Sequence, residues 1–87
     1  MKWGKNIQKD ELIQLHIFLV QLRSNLEEII HPKLNHFLSY DLLDTSPQQV
    51  FKSKKEHEIA IFELSRGISN LIKENKPPII KKLRSLF

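Results

Sequence analysis

Between Leu12 and Leu22 only Gln14, His16 and Gln21 are polar. Through this stretch and beyond it, Leu12, Leu15, Leu19, Leu22, Leu26 and Ile29 recur at spacings of three and four. That is the period of an amphipathic helix. No Gly or Pro interrupts residues 10–30, and Asp10 and Glu11 stand in the first turn, where acids suit the helix dipole. The pattern predicts a helix from Asp10 to Ile30. Ile13, Ile17, Phe18 and Val20 fall outside its stripe. A helix apolar around most of its circumference has to be covered on more than one side. One partner helix in so short a chain does not achieve that, so the pattern predicts a homo-oligomer, dimer or larger.

Pro32 ends or kinks this helix. Lys33 to Leu43 can form a short second helix with Leu34, Phe37, Leu38 and Leu42 facing inward. Asp44 to Val50 reads as a turn region. Ser46-Pro47 could begin a helix, but Ser53 followed by Glu56 has the spacing of a capping box and is the preferred start. A third helix is predicted from Lys54 to about Glu74, with Ala60, Ile61, Leu64, Ile68, Leu71 and Ile72 as its stripe and Ile59 and Phe62 off it. Gly67 in its middle costs up to about 1 kcal/mol and would permit close helix approach. Asn75-Lys76-Pro77-Pro78 is a stop. Beyond it, Ile79, Ile80, Leu83, Leu86 and Phe87 alternate with Lys81, Lys82 and Arg84 as a short basic amphipathic helix. The expectation is an all-α bundle: long, short, long and short helices, the first packed on the third as a helical hairpin, completed by a second copy. It divides into a basic segment at residues 1–8, a helical core at 9–76 and a basic tail at 77–87.

Length and composition narrow this further. Eighty-seven residues allow one domain, which buries a smaller fraction of its surface than a typical domain. With no cysteine there is neither disulfide nor thiolate metal site. The Lys/Glu/Ile-rich composition suits a thermophile and equally an AT-rich genome. There is no signal-peptide core and no apolar run of the roughly 18 residues that a membrane span needs. The expected location is the cytoplasm. The net charge of +4 is concentrated at the ends: Lys2, Lys5 and Lys9 at one, Lys81, Lys82 and Arg84 at the other, leaving residues 10–76 mildly acidic. A nucleic-acid-binding domain usually gathers its charge on one folded face.

Candidate chemistry is sparse. There is no nucleophile with a base at motif spacing, and two glycines do not make a phosphate loop, so no enzyme is expected. His16 lies one turn after Leu12, and His57 one turn before Ile61, so both point to the inner faces of their helices. Imidazole is the commonest metal ligand, and bundles build metal sites from facing side chains. Two histidines would half-fill a tetrahedral site for Zn²⁺ or another divalent metal, the rest coming from a second chain or water. The competing expectation is that each ring packs at the core boundary and finds a backbone or carboxylate partner. In an antiparallel hairpin a monomer would place the two at opposite ends; in a dimer, or with a connection long enough for another layout, they could meet. Glu11 sits about 140° around the helix from His16 and does not join it on one ion. His31 and His36 read as surface residues. Lys52, Ser53, Lys54 and Lys55 at a helix start could hold a phosphate or nucleic acid, or form an ordinary capped turn balanced by Glu56 and Glu58. The tail could touch a membrane surface, a partner or nucleic acid, or fold back on the bundle. Trp3 is either a packing anchor or part of an unpatterned end.

The run Lys9-Asp10-Glu11-Leu12-Ile13-Gln14-Leu15-His16, followed by Lys52-Ser53-Lys54-Lys55-Glu56-His57 and Ala60-Ile61-Phe62, resembles a family of small uncharacterised archaeal proteins that often carry a metal-binding label. It covers about residues 9–73. The resemblance implies an archaeal source and a self-associating all-α fold. Carried over by position, it points to Glu11, His16, Lys52, Ser53, Lys54 and His57. The chain departs from the family pattern at Phe51, where the pattern has a histidine. Three functions follow as expectations: a non-enzymatic metal-binding module using His16 and His57, a nucleic-acid-associated adaptor using the Lys52–Lys55 turn and the basic ends, or a purely structural interaction module.

Overall fold

A computed structural model describes residues 7–75 and 84–85. It contains α1 (Lys9–Ile30), α2 (Leu38–Leu43) and α3 (Lys54–Glu74). The all-α class is as the periodicity predicts. The expectations for residues 1–6, Trp3 included, and for the tail at 76–83 and 86–87 lie outside the described residues; Arg84 and Ser85 are helical.

Local sequence sets the helix ends. Glu11 reaches back to accept the Gln8 N–H at 2.9 Å, and α1 stops at His31, whose left-handed backbone (φ 54°) returns its N–H to the Glu27 carbonyl. Pro32 then prevents continuation, since it has no N–H to offer. The predicted capping box opens α3: Ser53 Oγ accepts the Glu56 N–H and Glu56 accepts the Ser53 N–H, both at 3.1 Å. These bonds satisfy donors that the first turn leaves orphaned.

The two long helices run in the same direction, which overturns the simple hairpin. His16 of α1 meets His57 of α3 near their N-terminal ends, and a cleft lined by Ile30, His31, Glu74 and Asn75 joins their C-terminal ends. The reason is the connection. Residues 31–53 do not turn back at once but travel the length of the pair, with α2 on the way, so that α3 starts level with the beginning of α1. The core is the seam between them: Leu12, Leu26, Ala60, Ile61, Leu64, Ile68 and Leu71 are buried, along with Phe37 from the connection. Each such large side chain contributes roughly 1.5–3 kcal/mol.

The short helix differs from expectation. It begins at Leu38 rather than Lys33, because Asn35 Oδ1 captures the Phe37 N–H at 2.9 Å and shapes a turn there. Of the four side chains expected inward, only Phe37 is buried; Leu34, Leu38 and Leu42 are exposed. Gly67 admits the 36–37 turn rather than the expected close approach of a helix: a Cβ at position 67 would stand 2.5 Å from Phe37 Cδ1 and 2.8 Å from the His36 carbonyl. Arg23 lies over the Phe37 ring, its guanidinium 4.3 Å from the ring centroid and its nitrogens on both Asp41 oxygens.

Candidate functional site: a buried histidine pair

The parallel arrangement brings together two residues that an antiparallel one would separate. Both histidines are fully buried, at 0% exposure, rather than at the core boundary. Their Nδ1 atoms face each other at 3.0 Å, with ring planes inclined by 72°. On its other side His16 Nε2 meets the Tyr40 hydroxyl at 2.7 Å, and His57 Nε2 meets the Gln49 carbonyl at 3.1 Å. The row runs Tyr40, His16, His57, Gln49, drawing on α2, α1, α3 and the connection.

Hydrogen-bond chemistry orders the protons in this row, starting from its one acceptor-only group. The Gln49 carbonyl only accepts, so His57 Nε2 carries a hydrogen. With His57 uncharged, its Nδ1 is bare and accepts from His16 Nδ1–H. That leaves His16 Nε2 bare, and the Tyr40 hydroxyl donates to it. In that arrangement every nitrogen is satisfied without a charge, the condition under which buried polar groups are tolerated. Burial, and then the neighbouring His57 ring, push the His16 pKa down to about 4, which keeps it neutral. Burial likewise raises the pKa of Tyr40, preserving its donor proton.

A divalent metal fits this arrangement poorly. Two imidazoles on one tetrahedral zinc stand about 3.3 Å apart, given Zn–N distances of about 2.0–2.1 Å. The observed 3.0 Å is a hydrogen-bond distance. Each lone pair is already engaged, and no third His, Cys, Asp or Glu joins the pair among the described residues. Phe51 is 78% exposed, so a histidine at that position would stand on the surface and not in the buried row.

The other candidates are placed apart from this row. Glu11 caps α1. Ser53 is used as the cap of α3, and Lys52 Nζ lies 3.7 Å from Glu56 and 3.5 Å from the Asp44 carbonyl. Lys54 is half-buried and Lys55 exposed. Hydrogen bonding of Ser53 to the Glu56 carboxylate holds its pKa below the usual range, so a negative charge already stands at this helix start. His36, expected at the surface, is mostly covered and paired with Glu74 at 2.9 Å. Tyr40 and Gln49 carried no sequence signal: one is a lone tyrosine in a short helix, the other acts through its backbone. No helix among the described residues is long and apolar enough to cross a membrane.

Comparison with known proteins adds relatives without a described activity. A family model described as an uncharacterised protein family, UPF0058, matches residues 7–86. A UPF0058 protein of Methanocaldococcus jannaschii is 39% identical over 79% of this chain and 67% of its own length. One from Archaeoglobus fulgidus is 37% identical over 82% of this chain and 75% of its own, and one from Methanothermobacter thermautotrophicus 43% over 80% and 72%. A crystal structure of Vng1086c from Halobacterium salinarium superposes with a TM-score of 0.74 at 33% identity, covering 80% of this chain and 93% of that one.

Proposed function

We propose, from the premise that the chain belongs to the uncharacterised protein family UPF0058, that it is a non-enzymatic helical module that works by self-association. The observation that carries this reading is an inversion of the usual economy of side chains. The polar chemistry is turned inward and satisfied, in the row Tyr40–His16–His57–Gln49. Large apolar side chains are turned outward: Ile17, Phe18, Leu34, Leu38, Leu42, Val50, Phe51, Ile59, Phe62 and Ile72 are exposed, against eight buried apolar residues among those described. Where such side chains adjoin, they make the kind of apolar patch by which proteins associate, and this supports the reading. Sedimentation equilibrium of the full chain over micromolar to millimolar concentrations tests it. A dimer or larger is expected, and a monomer throughout would remove the reading.

Metal binding through His16 and His57 is the reading that the family resemblance favours, and the convergence of two Nδ1 atoms is its support. The hydrogen bonding of both rings weighs against it, and Zn²⁺ is expected to leave the melting temperature unchanged. Stoichiometric zinc retained by native mass spectrometry, and lost in His16→Ala, would reverse that judgement. The nucleic-acid reading rests on the Lys52–Lys55 turn and the basic ends; at the turn, the Glu56 carboxylate beside Lys52 and the Ser53 N–H weighs against it.

A further inference from the structure

The exposed face of α1 is free of charge along three turns. From Leu12 to Leu26 the only formally charged residue is Arg23, and its side chain is 19% exposed and drawn onto Asp41 and Glu27. His16 is buried. What this stretch shows to solvent is Gln14, Ile17, Phe18, Gln21, Ser24 and Asn25. Their spacing of three and four makes one continuous stripe, about 17 Å long. Phe18, at 60% exposure, stands near its middle. An aromatic centre depleted of charge is the composition of an interface core.

We infer that this stripe is the contact between two copies of the chain: an antiparallel, two-fold packing of α1 on the partner's α1, centred between Ile17 and Phe18. The inference rests on the self-association proposed above and names its surface. A two-fold contact sets each residue against those of an identical face, so the face has to tolerate its own copy. Centring between Ile17 and Phe18 places Ile17 against the partner's Phe18, and Gln14 against the partner's Gln21. Amide side chains both donate and accept, so such a pair is self-complementary.

The other long helix fails this test. Ile59 and Phe62 of α3 are also exposed, with Lys55 and Arg66 on the same face. The equivalent two-fold contact would set Lys55 against the partner's Arg66 and Glu58 against the partner's Glu63. Like charges opposed in this way suppress association.

Sedimentation equilibrium of the full chain beside Phe18→Glu and Phe62→Glu tests the assignment, with circular dichroism to confirm that each variant is folded. Phe18→Glu is expected to weaken the dimer on the order of 100-fold or more, and Phe62→Glu to leave it unchanged. The absence of cysteine allows a second measurement that does not depend on disrupting the dimer. Chains carrying Gln14→Cys, mixed with chains carrying Gln21→Cys, are expected to form a disulfide-linked pair under mild oxidation, and chains carrying Ile59→Cys mixed with chains carrying Phe62→Cys are not. A dimer broken by Phe62→Glu but not by Phe18→Glu, or crosslinked between Ile59→Cys and Phe62→Cys but not between Gln14→Cys and Gln21→Cys, overturns the α1 contact while self-association stands. A wild-type chain that stays monomeric overturns both.

Discussion

His16 Nδ1 lies 3.0 Å from His57 Nδ1, and the acceptor-only Gln49 carbonyl at the end of the row decides which of the two carries the hydrogen. The hydrogens are assigned by working inward from that carbonyl, since imidazole alone permits either tautomer. The expected result is His16 with its hydrogen on Nδ1 and His57 with its hydrogen on Nε2. Long-range ¹H–¹⁵N spectra of the two rings at neutral pH distinguish the tautomers. The same tautomer in both rings would contradict the row as described.

Removing one member of the pair strands the others. His16→Ala leaves the Tyr40 hydroxyl and His57 Nδ1 without partners and opens a cavity, for a loss of about 2–5 kcal/mol. Once His16 is gone, His57→Ala has less left to destroy. Denaturant melts of the two single variants and the double variant are expected to be non-additive by about 1–3 kcal/mol. Strict additivity would mean that the two rings do not depend on each other.

Acid is expected to weaken the fold through His16. Its pKa falls from 6.5 in the unfolded chain to about 4 in the folded one. Between those values His16 of the unfolded chain binds a proton that His16 of the folded chain refuses. The contribution is therefore fully present above pH about 6.5 and lost as pH falls towards 4, lowering the folding equilibrium constant by up to about tenfold per pH unit. Urea melts at pH 7, 6 and 5 check this, with His16→Gln as the variant in which this part of the slope disappears. A wild-type stability that is flat from pH 7 to 5 would show that the folded pair accepts the proton after all.

Gly67→Ala separates helix propensity from packing. In an isolated helix the change would gain up to about 1 kcal/mol. Here the new methyl would meet the Phe37 ring and, at 2.8 Å, the backbone carbonyl of His36, which has no rotamer to retreat into. Overpacking of this kind costs about 1–3 kcal/mol, so the net expectation is a lower midpoint in thermal or urea melts. An unchanged or raised midpoint would mean that the 36–37 turn yields easily.

Much of the fold could be read along the chain because its signals are local. The 3.6-residue period of α1, the Ser53/Glu56 capping box of α3 and the stop at Pro32 each act within a few residues, and each is found where expected. Where the inward face of the short helix was misjudged, the cause was also local but weaker: the Asn35 side chain competes for the Phe37 N–H and delays the helix to Leu38. His16 and His57 were legible as inward-facing residues, since that too follows from periodicity.

Their partners were not legible. Period and caps fix each helix about its own axis but say nothing of the direction in which two helices lie against each other. That was decided by the 31–53 connection, by Phe37 docking against Gly67 and by Arg23 gripping Asp41, contacts between residues far apart in sequence. Only the resulting parallel packing set two buried imidazoles Nδ1 to Nδ1 and supplied the Tyr40 hydroxyl and a backbone carbonyl to complete them. The sequence by itself determined which residues turn inward, because local periodicity is written residue by residue. The tertiary structure alone decided what they meet there, because that depends on the path of the chain between them.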